Sequence, residues 1–231
     1  PIYNRGWCFQ EKQLASRCLV FCDDEVVWEC RSCCKCECGG EQEHLSDGNA
    51  PFQLDETLRY FADAEAAYSF WKTAVANYSS RALTFQTDRL PAISAIASVV
   101  AEATEDRYLA GLWRGKLLAG LGWVAKKSAQ DDPRGPRPYQ EYIAPTWSWA
   151  SLPIGACYFP RSYSAGHRHD PDLNALVLDA RTTLDGENLY GGVSDAAISL
   201  SGFHCDAELT IPGRGVDAQL DFGHAEVQTV S

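Results

Sequence analysis

Cysteines crowded near the start of the chain are the residues whose type and spacing best suit metal chemistry. Eight of the ten cysteines fall within the first 38 residues. Zinc prefers sulfur or nitrogen ligands arranged as a tetrahedron. The set that the sequence offers is Cys30, Cys33, Cys36 and either Cys38 or His44. This cluster is a candidate zinc site. A loop of reduced thiols is the alternative, because a second, separated Cys-x-x-C pair is absent.

A carboxylate, Glu11, is the candidate for catalysis. In a helix it would share a face with Trp7 and Gln10. An apolar wall raises the pKa of a carboxyl group, so Glu11 could serve as a general acid or base or stabilise a ribosyl cation. In the structural alternative, Gln10 and Glu11 bond the backbone of a hairpin or pair with Arg5 or Arg17. We favour this alternative, because structural ion pairs also perturb carboxylates.

Tryptophans flank the remaining candidate positions. Glu29 lies between Trp28 and Cys30 and has the same two interpretations as Glu11, catalytic or structural, and the structural one is favoured still more strongly. Trp147 and Trp149 are separated by one residue, so an extended backbone would place them on one side as an aromatic wall for a ligand. Packing in the core is the favoured alternative, since large aromatic side chains dominate packing energetics.

Local patterns predict the elements that must position these residues. Runs rich in Val, Phe and Trp at 17–21 and 25–30, separated by two aspartates, predict a β-hairpin. Apolar residues at steps of three and four predict helices. These helices cover 5–15, 58–78, 87–103 and 106–124, with Thr87 or Asp88 as a cap.

The last part of the chain changes character. Short strand-like runs at 175–180, 197–203 and 207–211 are separated by Asp-Gly, Gly-Gly and Pro-Gly turn signals. The predicted fold class is therefore α+β: a β-hairpin, a predominantly helical middle and a small antiparallel β region at the C-terminus. The predicted divisions are 1–38, a loop at 39–56, a helical region at 57–151 ending in Trp-Ser-Trp, and a β-rich region at 152–231.

Composition excludes several classes of protein. The chain has 231 residues, a net charge of -11 and 45% hydrophobic residues, which is typical of a folded protein with a core. The acidic balance argues against nucleic-acid binding, which needs a basic face. No apolar run approaches the roughly 20 residues of a membrane span. A long chain whose cysteines crowd into one segment indicates reduced thiols and a cytoplasmic setting. Because the chain starts at Pro1 and lacks methionine, we expect its true N-terminus to be missing.

Seven short blocks, in this order, resemble the end of the fungal heterokaryon incompatibility (HET) domain and the region after it. The blocks are Arg5–Glu11, Arg17–Phe21, Val27–Cys30, Tyr78–Thr84, Asp88–Ile93, Tyr108–Trp113 and Ala144–Ser151. The Cys-Glu-Cys-Gly at 36–39 is also similar to many such proteins. The motif residues carried by the blocks include Arg5, Gly6, Trp7, Gln10, Trp28, Glu29, Trp147 and Trp149.

The resemblance implies a fungal, intracellular protein that acts in non-self recognition and programmed cell death through protein partners. The family's earlier blocks are absent, so residues 1–38 correspond to the end of the HET domain and the chain to a fragment. The HET domain is thought similar in fold to TIR domains, some of which cleave NAD through a glutamate. An enzyme in which Glu11 is the remnant of that site is one alternative. A zinc-stabilised binding module on Cys30–His44 is another. No small-molecule substrate is indicated.

Overall fold

The computed structural model describes residues 4–21, 25–30, 34–38, 61–125, 141–152, 157–159, 175–206 and 221–230. These residues form helices and antiparallel sheets, with a hairpin near the N-terminus and a small sheet at the C-terminal end. The predicted α+β class is confirmed. Within the described residues, no helix combines the length and apolar character needed to cross a membrane.

The first unit is a short helix followed by a three-stranded sheet. Helix α1 spans Gly6–Leu14, and strands β1 (Arg17–Phe21), β2 (Val26–Cys30) and β3 (Cys34–Cys36) follow it. The strands pair antiparallel in the order β1-β2-β3. The predicted hairpin is confirmed, and its turn lies outside the described residues. Strand β3 extends the hairpin, so part of the cysteine-rich segment belongs to the sheet.

Two longer helices form the middle of the chain. Helix α2 spans Ala64–Tyr78, and it begins where the Asp63 carboxylate accepts a hydrogen bond from the backbone N–H of Ala66 at 2.8 Å. Helix α3 spans Ser94–Thr104 and is preceded by 3-10 turns at Gln86–Arg89 and Pro91–Ile93. The helix predicted at 87–103 therefore begins later than its sequence pattern indicates, and neither Thr87 nor Asp88 caps it.

The predicted helix at 106–124 is wrong. Strands β4 (Tyr108–Leu109) and β5 (Leu112–Trp113) form a tight hairpin there, followed by a 3-10 turn and the short helix α4 (Leu117–Gly120). Ala110 and Gly111 both have positive φ, at 45° and 98°. Two successive positive φ values match the turn that best joins antiparallel strands. Glycine lowers helix propensity, and Gly111 lies in the turn of this hairpin.

Strands β6 (Val124–Ala125) and β7 (Cys157–Tyr158) form a small separate pair. The C-terminal sheet contains β8 (Ala175–Leu184), β9 (Val193–Asp206) and β10 (Asp221–Val230), in the antiparallel order β10-β9-β8. Two of the predicted strand runs lie within β8 and β9. The run at 207–211 lies outside the described residues, and β10 was not predicted.

One apolar core joins α1, the helical middle and the C-terminal sheet. It extends from Phe9 in α1 to Ile198 in β9. Trp71 and Trp149 are among its largest fully buried side chains, and the ring of Tyr78 meets that of Trp149 edge-on, with centroids 6.0 Å apart. Trp147 and Trp149 are both buried, as the core-packing alternative predicts, and they do not line an extended strand.

Candidate functional site

The N-terminal sheet presents two faces with different surroundings. The register pairs Leu19 with Trp28 and Phe21 with Val26, and cross-strand partners lie on the same face. The adjoining strand adds Lys35 opposite Trp28. We call this side the outer face. Its members are Arg17, Leu19, Phe21, Val26, Trp28, Cys30 and Lys35.

The outer face is apolar and open to solvent. Phe21 is 77% exposed and Leu19 is 55% exposed, while Val26 and Trp28 are half-buried. The charged members are two cations, Arg17 and Lys35, both exposed. Contiguous exposed apolar side chains are uncommon on a soluble surface, and they mark sites of interaction. Among the described strands, β1 is also an edge strand, which can accept a further strand.

The inner face is held against α1. Val20 and Val27 are buried on this side. Lys12 of α1 pairs with Glu29, with 2.8 Å between Nζ and Oε2. Glu29 thus makes a structural ion pair, as favoured from the sequence, and its partner is Lys12. Because α1 occupies this side, the outer face points away from the helix.

Helix α1 is anchored to the middle of the chain by polar contacts. The side-chain oxygen of Gln10 accepts a hydrogen bond from the backbone N–H of Ala95 at 3.1 Å. N–H groups in the first turn of a helix lack partners within that helix, so Gln10 satisfies one at the start of α3. Gly6 and Arg5 lie beside Ala82, and a Cβ on Gly6 would meet Leu83 at 2.5 Å. These motif residues therefore dock α1, and the bond that the described residues show for Gln10 goes to α3, whereas the sequence analysis allowed one to the hairpin.

The environment of Glu11 does not match that of a buried catalytic carboxylate. Its side chain is exposed. Trp7 is 38% exposed, and its indole N–H donates to Asp88 Oδ2 at 3.0 Å. The described residues contain no ion pair between Glu11 and either Arg5 or Arg17. The apolar wall that the catalytic interpretation of Glu11 requires is therefore not formed among the described residues.

A compact group of potential metal ligands lies where β3 ends. The carboxylate of Glu25 contacts Cys36 Sγ, and Cys36 and Cys38 are joined as a disulfide. Ligand atoms of the three residues all lie within 4.8 Å of one another. The backbone N–H of Cys38 donates to Cys36 Sγ at 3.2 Å. Once the disulfide is reduced, two thiolates and a carboxylate at this spacing form a donor set suited to a divalent metal.

The candidate zinc ligands from the sequence are only partly brought together. Cys36 and Cys38 are adjacent, whereas Cys30 lies on the outer face, opposite the side that carries Cys36. Cys33 and His44 lie outside the described residues. Glu25 was not among the predicted ligands, because its proximity depends on the register between β2 and β3.

A buried arginine is the other residue that sequence patterns did not single out. Arg89 is 1% exposed, and its guanidinium lies 5.9 Å and 5.8 Å from the rings of Tyr78 and Trp149. One terminal nitrogen donates to the carbonyl of Ser79 at 2.9 Å. Burial raises the pKa of the nearby Cys157 thiol to about 11, so this cysteine stays protonated at neutral pH and is a poor nucleophile. These contacts indicate a structural centre.

Searches of protein-family models, curated proteins and solved structures find no match to this chain. Among the described residues, the outer face and the Glu25–Cys36–Cys38 group are two features that could bind a partner or a ligand.

Proposed function

We propose that this chain belongs to a HET-type protein and acts in the cytoplasm, in fungal non-self recognition and cell-death signalling, by binding a partner protein through the outer face. The observation that carries the proposal is the exposure of Phe21 and Leu19 side by side on an edge strand. Both residues lie in a sequence block that resembles the HET family. Exposed apolar groups on an edge favour aggregation unless a partner covers them, so their presence favours a binding role.

The chemistry of the outer face defines the partner segment. An extended segment can pair its backbone with β1, and its alternate side chains then contact the face of the sheet. Leu19 and Phe21 would receive apolar side chains. Arg17 and Lys35 are exposed cations in a chain of net charge -11, and they would attract carboxylates locally. The expected partner is an extended apolar segment flanked by acidic residues.

The test is replacement of Phe21 by lysine in the full-length protein at its own locus. Incompatible fungal strains are fused, and the fraction of dead fusion cells is counted with a vital dye. We expect Phe21→Lys to abolish cell death, because a cation within the apolar contact removes the burial of Phe21 and adds positive charge to a face that already carries Arg17 and Lys35. Reversing the flanking charge in Lys35→Glu should reduce cell death, since it removes attraction for acidic residues.

The matched control is Leu176→Lys. Leu176 is an apolar strand residue, 65% exposed, in the C-terminal sheet. The Leu176→Lys substitution changes charge and hydrophobicity as Phe21→Lys does, and we expect it to leave cell death at the wild-type level. Equal protein abundance and far-UV circular dichroism establish that both variants fold. A folded Phe21→Lys protein that kills as effectively as wild type contradicts the proposal.

The NAD-cleaving alternative gains no specific observation, since Glu11 is exposed and lacks an apolar wall among the described residues. A Glu11→Gln protein should therefore cause the same fraction of dead fusion cells as wild type. Loss of cell death in Glu11→Gln, with Phe21→Lys fully active, would favour the enzyme over the binding role.

A further inference from the structure

We propose that Glu25, Cys36 and Cys38 form a Zn²⁺ site that fixes the end of β3 to the start of β2. The site lies on the other side of the sheet from the outer face. It is therefore separate from the partner-binding role. It differs from the ligand set that cysteine spacing alone indicates, because a carboxylate replaces Cys30.

The strand register brings the three ligands together. Val27 pairs with Cys36, and the backbone N–H of Glu37 donates to the carbonyl of Val26 at 3.0 Å. Continued by one position, this antiparallel register sets Glu25 opposite Cys38. Side chains two residues apart on a strand share a face, so Glu25 and Cys38 lie on the side that carries Cys36.

Zn²⁺ binds the reduced form of the Cys36–Cys38 pair, since a disulfide sulfur is not a thiolate ligand. In the reducing cytoplasm proposed above, a cellular thiol reductant opens this disulfide; the reductant is oxidised to its own disulfide, and Cys36 and Cys38 each take up one proton. In that state Zn²⁺ binds by replacing the two thiol protons, which are released to solvent, while the carboxylate contributes an oxygen.

The surroundings can accommodate a metal at the rim of the sheet. Cys36 is buried, Glu25 is half-buried and Cys38 is exposed, so one sulfur is shielded while the other side of the site is accessible. The Cys38 N–H donates to Cys36 Sγ, and a hydrogen bond of this kind stabilises a thiolate ligand. Three protein ligands leave the fourth position of the tetrahedron to water, so the site is open and is not closed by four protein ligands.

Metal analysis of the full chain tests the site. The protein is purified under reducing conditions, its zinc is measured by mass spectrometry, and the apo form is titrated with Co²⁺. We expect one Zn²⁺ per chain, and sulfur-to-cobalt charge-transfer absorption with the visible bands of tetrahedral Co²⁺. Cys36→Ser and Cys38→Ser should weaken Co²⁺ binding by about 100-fold or more, since loss of a ligand exceeds loss of an outer-shell partner.

Glu25→Gln is the decisive variant, because it removes a ligand without opening a cavity. We expect it to weaken Co²⁺ binding by at least about tenfold. Glu37→Gln removes the same charge from the residue between the two cysteines and should bind Co²⁺ as wild type does. Cys8→Ser and Cys30→Ser remove thiols elsewhere and should also retain the metal.

Two results would overturn the site. One is wild-type protein that carries no zinc and gives no charge-transfer absorption under reducing conditions. The other is loss of metal in Cys30→Ser or Glu37→Gln equal to the loss in Glu25→Gln. That pattern would assign binding to the wider cysteine cluster or to net charge.

Discussion

At the scale of single residues, a buried tyrosine shows how local polarity is tied into the core. The hydroxyl of Tyr68 donates to Asp106 Oδ2 at 2.8 Å. The same carboxylate accepts from the backbone N–H groups of Arg107 and Gly115. Burial, and then the hydrogen bond to Asp106, raise the pKa of Tyr68 to about 12. Asp106 therefore joins α2 to the segment that follows the β4–β5 hairpin.

The shifted pKa predicts a loss of stability in alkali. Tyr68 in the unfolded chain ionises near its ordinary pKa of 10.0, whereas the folded protein keeps the proton to about 12. The unfolded state then binds fewer protons, so the free energy of unfolding falls as pH rises through this window and is unaffected below it. In Tyr68→Phe this contribution is absent. Urea unfolding midpoints of the wild type and of Tyr68→Phe, measured between pH values of about 8 and 12, should therefore converge as the pH rises. A constant difference across the range contradicts the assignment.

Gln10 and Asp88 show why the partners of single polar residues are hard to predict from sequence. Gln10 was interpreted as a partner of the nearby hairpin and Asp88 as a helix cap. Each instead bonds a group more than 80 positions away, Ala95 and Trp7 respectively. Periodicity specifies which face a residue lies on, but it does not specify which distant backbone group faces it. The burial of Trp147 and Trp149 could be predicted, because large apolar side chains favour the core.

At the scale of elements, the β4–β5 hairpin depends on one glycine. Gly111 has φ of 98°, and a Cβ there would lie 2.6 Å from Trp149 Nε1. Its carbonyl accepts hydrogen bonds from the indoles of both Trp71 and Trp149, at 3.0 Å and 2.9 Å. The turn therefore provides the acceptor around which two core tryptophans are arranged.

Replacing Gly111 by alanine should destabilise the protein by about 3 kcal/mol, from left-handed backbone strain and from overpacking against Trp149. Thermal or urea unfolding measures the effect. Gly186→Ala is the control, because a Cβ there meets nothing within 4 Å, and its effect should stay within about 0.5 kcal/mol. Similar losses in both variants would show that general glycine effects, and not this turn, are responsible.

Element prediction succeeded where the signal was local and failed where it was not. Runs rich in Val, Phe and Trp at 17–21 and 25–30 were sufficient for the β1–β2 hairpin, since the β propensity of each run is local. The same reasoning misassigned 106–124, because apolar residues at helical spacing there serve a hairpin, a turn and α4 in succession. The Glu25–Cys36–Cys38 group depends on a strand register that no local pattern contains.

At the scale of the whole molecule, the C-terminal sheet packs onto the helical middle. The ring of Tyr190 meets that of Tyr108 at 5.6 Å, and Asn188 donates to Ser94 Oγ at 3.1 Å. Ala180, Val193, Ala196 and Ile198 belong to the same buried cluster as Trp71 and Trp149. Strand-like runs and turn signals predicted a small β-rich region at 152–231. The shared core favours cooperative unfolding of both parts.

Ile198→Ala tests this coupling. Ile198 is 2% exposed in β9, so its truncation should cost about 2–5 kcal/mol. All seven tryptophans lie at or before position 149, and their fluorescence therefore reports only on the part of the chain before the C-terminal sheet. In a cooperative unit, Ile198→Ala lowers the urea midpoint equally by fluorescence and by far-UV circular dichroism. Leu178→Ala, at a 51% exposed position of β8, should change the free energy of unfolding by no more than about 0.5 kcal/mol with either probe. An unchanged fluorescence midpoint beside a shifted circular dichroism transition would instead make the C-terminal sheet an independent folding unit.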